Sequence, residues 1–320
     1  MTSSATPHEG DHEDDRASGV AVRDVDPGEA LAFLAALEAA SGVPPVDEDE
    51  RRRLAGEPPV RDPAWDWAGH LVVLDGRPRG YAGVRTPPAG TDGASRVDLA
   101  IDRSDPAAHV ALGAALDHLR AHAVAAGTSG VEAWLRGASE DELAAAAAVG
   151  FRERTRLHVL GADAAALRDA VPARPEVPDD VELRAYDPAD PTDADAVVRL
   201  LTRAYPELAD TYRDRFPVLT RADWFRPDDL LLARADGALV ALHWMKRRGD
   251  GVGEVYNLAV DPDAQGRALG PLLLDTGIAH LLDVGCDDVI LWVRSDNARA
   301  VALYRSRGFT SRWDDVSLVG

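Results

Sequence analysis

A mixed α/β sheet, built twice in tandem, is the fold that this sequence predicts. Three observations carry the prediction. Apolar runs of strand character alternate with apolar stretches of helical period through most of the 320 residues. The same series of runs occurs twice. The first half reads "LVVLDGRPRGYAGVR", "RVDLAID", "ALGAALDHLRAHAV", "GVEAWLRG" and "AAAAVGF"; the second reads "LLLARADGALVALHW", "EVYNLAVDP", "ALGPLLLDTGIAHLL", "DVILWVRS" and "LYRSRGF". Leu99 answers Leu258, Gly113 answers Gly270 and Phe151 answers Phe309, at spacings that agree to within two residues. That consistency marks two copies of one unit. Finally, "VPARPEVPDD" at 171–180 puts three prolines in ten residues, a stiff connection between the halves.

The elements follow in order. Residues 1–18 are polar and acidic and are expected to be a disordered tail, with His8 and His12 solvated rather than metal-bound. Residues 19–170 form the first domain, 171–180 the linker and 181–320 the second domain. Each unit opens with a helical stretch (residues 29–40 and 193–204). A hairpin follows, turning at Asp75-Gly76 or Asp236-Gly237. Next come a strand, a loop, a helix and a strand, an order that predicts a right-handed parallel crossover. A last helix runs to a Gly-Phe pair.

Composition narrows the function. A hydrophobic content of 46% suffices for two cores, and the net charge of −20 argues against nucleic acid or an anionic membrane as partner. An anionic ligand therefore needs a local site rich in cations or N–H groups. The single cysteine, Cys286, allows no intrachain disulfide and reads as an inert thiol. There is no secretory h-region and no apolar run of membrane-spanning length, so a soluble, cytoplasmic protein is expected.

One stretch carries chemistry. "VYNLAVDPDAQGRALGPLLLDTGI" (residues 255–278) is an apolar strand, a short loop with Gly266, Arg267 and Gly270, and an apolar helix. A helix start presents unpaired N–H groups and partial positive charge, which suits a phosphate or pyrophosphate. Pro271 costs nothing there, because its missing N–H is an orphan position. By pattern alone, an anion site and a plain strand-to-helix turn both remain open.

"QGRALG" (residues 265–270) after "VYNLAVDP" resembles the acetyl-CoA signature of the GNAT N-acetyltransferase superfamily, Gln/Arg-x-x-Gly-x-Gly/Ala. "SDNARAVALYRSRGF" resembles its last motif, a helix carrying Asn and Tyr. Ala268 stands where the pattern usually has Gly. With "YPEL", "DWFRPDDLLL" and "ALHWMK", the chain further resembles the mycothiol synthase family. That family acetylates the cysteinyl amine of the Cys–glucosamine–inositol precursor of mycothiol. The likeness is close over residues 180–311 and thinner over 20–160, where "SGVPPVDED" is the best local match.

The resemblance implies acetyl-CoA as co-substrate, a small-molecule thiol precursor as acceptor, and no metal. It assigns the cofactor to Leu258, Ala259 and Val260, whose main-chain groups align the pantetheine and stabilise an oxyanion. It adds the loop Gln265, Gly266, Arg267, Ala268, Leu269, Gly270 and Pro271, and the helix start Asn297, Ala298, Arg299, Ala300, Val301 and Ala302. It makes Glu254 the carboxylate for the substrate amine and Tyr304 the general acid to the departing thiolate. Glu48, Glu207, Lys246, Glu254 and Trp292 are its substrate-binding positions; Trp292 replaces the family's tyrosine.

The residues support this chemistry from below. An α-amine of pKa near 8 needs only a modest carboxylate base. Glu254 heads an otherwise apolar strand, although an exposed strand-end carboxylate is the plain alternative. Tyr304 lies seven residues after Asn297, two helical turns on one face. A packed aromatic beside Phe309, and a simple N-cap at Asn297, are the competing readings. Glu48, Glu207 and Lys246 compete with solvated surface charges, but Lys246 is the only lysine in an arginine-rich chain.

The first domain has "RSDPAAHVALG" in place of the cofactor loop, without its Gln and Arg and with Pro106 and His109 in the loop. It is expected to be catalytically silent, to wall the cleft and to lend Glu48. A monomer is expected. A GNAT enzyme for another amine, a protein N-terminus or an aminoglycoside, is the alternative, and a non-catalytic CoA-binding protein a third.

Overall fold

Each Asp-Gly hairpin is explained by its backbone. Asp75 and Asp236 sit at φ 50° and 51°, and Gly76 and Gly237 at 75° and 76°. Both central residues of such a turn need positive φ, which Asp tolerates and Gly adopts freely. The structure, a computed structural model, describes residues 20–59, 64–91, 93–105, 107–172 and 175–320. The expected tail at 1–18, with His8 and His12, and Pro106 lie outside the described residues.

The first half comprises β1 (Val20–Asp24), α1 (Pro27–Ser41), α2 (Glu48–Leu54), β2 (Asp66–Leu74), β3 (Arg77–Thr86), β4 (Ser95–Ile101), α3 (Ala108–Ala125), β5 (Val131–Leu135), α4 (Glu140–Ala148), β6 (Arg152–Asp163) and α5 (Ala164–Ala170). The second comprises β7 (Glu182–Ala185), α6 (Pro191–Ala204), α7 (Ala209–Leu219), β8 (Leu230–Ala235), β9 (Ala238–Arg247), β10 (Val252–Val260), α8 (Leu269–Asp283), β11 (Asp288–Arg294), α9 (Ala298–Arg305) and β12 (Thr310–Val319). Asp26 and Asp190 cap α1 and α6, with proline at the start of each helix. His109 falls inside α3, not in the loop where the sequence suggested it.

All twelve strands form one mixed sheet, in the order β1-β2-β3-β4-β5-β12-β6-β11-β10-β9-β8-β7. The parallel pairs are β4–β5 and β10–β11, each joined by a helix, as the repeat predicted. The last strands of the two halves are exchanged. β6 lies between β11 and β12, and β12 bridges β6 to β5. The two units are thus sewn into one sheet across the linker.

Helices cover both faces. One face packs α3 against β2–β5 and α8 against β9–β11, with Leu112, Leu116, Leu274 and Ile278 fully buried. The other carries α1 and α2 in the first half and α6 and α7 in the second, against Tyr81, Leu242 and Trp244. On this second face α2 and the β9–β12 surface come together.

Candidate active site

The site begins with an irregularity in β10. Its register against β9 shifts between Val255 and Asn257, so Tyr256 is an extra residue. A bulge bends and twists its strand. Pairing with β11 ends at Val255↔Leu291, leaving residues 256–260 without a neighbour on that side. The Leu258 carbonyl instead accepts from the Tyr205 hydroxyl at 2.8 Å. Asp261 N–H reaches back to Val240 of β9. By two-residue alternation, the N–H groups of Leu258 and Val260 point to the open edge, while Ala259 faces β9.

Beyond β10 the chain turns into α8. Gly266 lies at φ 87°, and Ala268, the N-cap position, is left-handed at φ 57°, ψ 20°. No side chain caps the helix, so Leu269 and Gly270 begin it with uncompensated N–H groups, and Pro271 has none to lose. Arg267 reaches Asp180 of the linker at 2.5 Å. Pro172, Pro175, Glu176 and Pro178 wall a groove over Arg267, Ala268, Pro271, Leu272 and Asp275. Ala268 holds, as an alanine, a conformation that costs a non-glycine residue roughly 1–2 kcal/mol.

At the other end of β10, Glu254 is 8% exposed, which removes the reading of an exposed strand-end carboxylate. Burial raises its pKa, opposed first by Arg248 and then by Lys246, while Glu48 adds to the rise. Arg248 Nη1 lies 3.2 Å from Glu254 Oε2, and the Arg248 guanidinium sits 5.3 Å over the Trp292 ring. Directly across the ladder from Glu254 stands Lys246. It is 7% exposed, lies 4.5 Å over Trp224, and donates to Glu48 at the first turn of α2. Glu48 and Lys246 thus meet across the two halves. Glu207 falls in the 3-10 turn Pro206–Leu208; its side chain is outside the described residues.

Trp292 turns its indole N–H away, to Asp315 at 2.8 Å. Asp315 is 1% exposed and accepts four bonds, from Trp292, Trp313, Arg136 and the Gly137 N–H. Nothing in the sequence linked Arg136 to Asp315, which are 179 residues apart.

Asn297 caps α9, accepting from Ala300 N–H at 3.1 Å, with Ala298, Arg299, Ala300, Val301 and Ala302 forming the first turns. Tyr304 is buried with its ring 6.0 Å from Phe309, so the packed aromatic of the plain reading is present. Burial raises its pKa, and the nearby Tyr205 adds to the rise. Tyr205, near enough to Tyr304 to influence it, bonds the open edge at Leu258. Sequence reading missed Tyr205, Arg248, Trp224 and Asp315. Tyr205 opens the quoted "YPEL", Trp224 lies within "DWFRPDDLLL" and Arg248 is two residues after Lys246, but no spacing rule singles them out.

The geometry joins an open strand edge, an uncapped helix start and a buried carboxylate along a single strand and the turn that follows it. Residues 194–309 match the acetyltransferase (GNAT) family. A mycothiol acetyltransferase of Actinosynnema mirum is 37% identical over 291 residues, covering 89% of this chain and 92% of that protein. The chain belongs to the mycothiol acetyltransferase family. A mycothiol acetyltransferase of Tsukamurella paurometabola is similar to it at 36% identity, over 89% of this chain and 93% of the relative. Among solved structures, a GCN5-related N-acetyltransferase of Sphaerobacter thermophilus superposes with a TM-score of 0.70 at 21% identity, covering 94% and 95% of the two chains. A tandem GNAT protein from the clavulanic acid biosynthesis pathway gives 0.67 at 20% identity, covering 94% and 97%. These two share the fold. As a member of the mycothiol acetyltransferase family, the chain is an acyltransferase of two tandem GNAT units. Among the described residues no helix is long and apolar enough to cross a membrane, and no cluster of His, Cys, Asp and Glu suits a metal ion. Cys286 is buried, and burial pushes its thiol pKa up.

Proposed function

We propose that this protein acetylates the cysteinyl amine of a Cys–glucosamine–inositol acceptor with acetyl-CoA, the last step of mycothiol biosynthesis. The single observation that carries the reading is the placement of buried Glu254 on the strand whose far end opens an N–H-bearing edge and leads into an uncapped helix. Family membership supports the acceptor. Bound acetyl-CoA supplies an acetyl group activated as a thioester. The N–H-rich start of α8 fits its pyrophosphate. Arg267 exchanges exposed Asp180 for phosphate at small cost, since exposed ion pairs are worth about 0–1 kcal/mol. The Leu258 and Val260 N–H groups face the pantetheine and the acyl oxygen.

Glu254 takes the proton of the attacking amine, directly or through one water, as the C–N bond forms. Tyr304 keeps its phenolic proton because its pKa is raised, and gives it to the thiolate as the C–S bond breaks. Lys246, Glu48 and Glu207 hold the polyol end, and Trp292 forms an aromatic wall. The first unit supplies Glu48 and the cleft wall while remaining chemically silent. The chain works as a cytoplasmic monomer. Mass-spectrometric product analysis with acetyl-CoA and the cysteinyl pseudodisaccharide, beside a generic peptide amine, tests this. Acetylation of the pseudodisaccharide amine is expected; equal or faster acetylation of the peptide overturns it.

A further inference from the structure

Glu254 has a problem that its neighbours must solve. Burial favours the protonated carboxyl, which is useless as a base. Four charged side chains face it: Arg248 from the turn after β9, Lys246 on β9, Glu48 on α2 and Arg136 from the loop after β5. Two of the three cations have other commitments. Lys246 donates to Glu48, and Arg136 is bonded to Asp315 at 3.0 Å. Arg248 forms the ion pair with Glu254 itself, through Oε2 at 3.2 Å. Its guanidinium carbon sits 5.3 Å over the centre of the Trp292 ring, a contact that restrains a flexible side chain.

We propose that Arg248 is a positioning residue for acetyl transfer: it keeps Glu254 ionised and holds one carboxylate oxygen, leaving the other for the acceptor amine. The inference rests on the reading of Glu254 as the base. Arg248 has a second effect of the same sign. A fixed cation beside the carboxylate disfavours an ammonium there, so the acceptor is drawn in as the neutral nucleophile. Both effects keep the reaction working at lower pH. Trp292 has a matching role: where the resemblance implies a tyrosine, this chain has an indole whose face seats Arg248 and whose N–H is fixed by Asp315.

The test is a set of pH–rate profiles from pH 5.5 to 9 for wild type, Arg248→Met, Arg248→Lys and Glu254→Gln, with CoA affinity measured for each. Removing an opposite charge within about 4–6 Å moves a carboxyl pKa by about one unit or more. Arg248→Met is therefore expected to shift the acid limb of kcat/KM upward by about that amount. Its rate should be roughly tenfold below wild type on that limb and converge with it near pH 9. Arg248→Lys should restore most of the shift, because it keeps the charge. Unchanged CoA affinity shows the fold intact; if Arg248→Met loses it, Arg248→Gln takes its place. An acid limb that does not move, with only KM raised, reduces Arg248 to a wall residue and overturns the proposal. In that case a large loss in Glu254→Gln leaves Glu254 as the base. Wild-type rates in Glu254→Gln remove the base and Arg248's role together.

Discussion

The loop ahead of α3 and the loop ahead of α8 occupy the same place in the two units, and they differ in backbone conformation. In both units the aspartate after the strand accepts from a loop N–H and pairs with an arginine. Asp102 accepts from the Ser104 N–H at 3.1 Å and Asp105 from the Ala107 N–H at 2.7 Å, and both pair with Arg79. In the second unit Asp261 likewise accepts from the Asp263 N–H at 2.9 Å, and neither α3 nor α8 has a side-chain cap; what sets the second loop apart is the positive φ of Gly266 and Ala268 ahead of α8. The strands differ in the same sense. β4 keeps an unbroken register with β3, whereas β10 has its bulge and its open edge. Counting from the Asp-Gly turns, Arg85 is the counterpart of Lys246. Arg85 pairs with Asp98 inside its own half, whereas Lys246 reaches Glu48 in the other. The two copies of this duplicated fold thus differ in strand regularity, in the turn ahead of the helix and in where the equivalent cation pairs.

The strongest challenge to treating the units separately is to cut them apart. The fragment 181–320 lacks β6, the partner of both β11 and β12. It is expected to show no cooperative thermal transition by circular dichroism, and extending it back to residue 152 should recover structure. A sharp native-like melt of 181–320 alone would mean that the strand exchange is dispensable.

Next in size is the chemical step, assigned to the second unit alone. Glu254→Gln is expected to lower kcat/KM by roughly 10²–10⁴ at neutral pH. Rising pH should rescue it in part, since solvent then supplies the neutral amine. Tyr304→Phe should slow turnover without that rescue.

The loops themselves predict one CoA site per chain by calorimetric titration. Gly266→Val, at φ 87°, should raise the acetyl-CoA KM tenfold or more, about 1.4 kcal/mol. Asp105→Ala should leave the titration unchanged. Two equal sites would erase the distinction between the loops.

A smaller effect concerns Glu50, 1% exposed on α2 against Gly83, where the second unit places Trp244. Burial, then the charge of Asp98, raises its pKa to about 7, while Tyr81 and Trp67 donate to it. The fold keeps this proton up to about pH 7, whereas the unfolded chain releases it near 4.5. Stability is therefore lost as pH rises through that window, by roughly 2–3 kcal/mol for a shift of this size. Glu50→Gln should flatten that slope in urea titrations between pH 5 and 7.5. His70, whose pKa burial lowers, acts oppositely as pH falls, and equally in both proteins. Parallel curves would show that Glu50 does not titrate there.

Smallest is Ala268→Gly, which relieves a left-handed alanine but adds chain entropy to the unfolded state. A net gain of about 0.5–1 kcal/mol is expected as a raised urea midpoint. A lowered midpoint would show that the methyl group packs usefully.

Much of this was legible in the chain. The repeat, the hairpins and the strand–loop–helix of the second unit rest on short-range rules: period, turn chemistry and the glycines around Arg267. Lys246 stood out as the only lysine, and Glu254 as a charge in an apolar strand. Helix α2 was not foreseen, because "DEDERRRL" has no apolar stripe and is held by its Asp47 cap and the buried Leu54. Arg248 and Tyr205 carry no periodic signal, since each works through a single long-range contact.

The sequence by itself carried the repeat and the Gly-rich strand–loop–helix of the second unit, and the resemblance named the carboxylate and tyrosine, Glu254 and Tyr304, proposed to act beside it. The repeat and the loop follow from local order along the chain. Only the tertiary structure decided that β6 and β12 change places, that Glu48 meets Lys246, and that Asp315 fixes Trp292 and Arg136 together. Strand pairing and buried ion pairs join residues more than a hundred positions apart. What selects them is the need to satisfy every buried donor and acceptor at once, a condition set by the whole fold and by no segment of it.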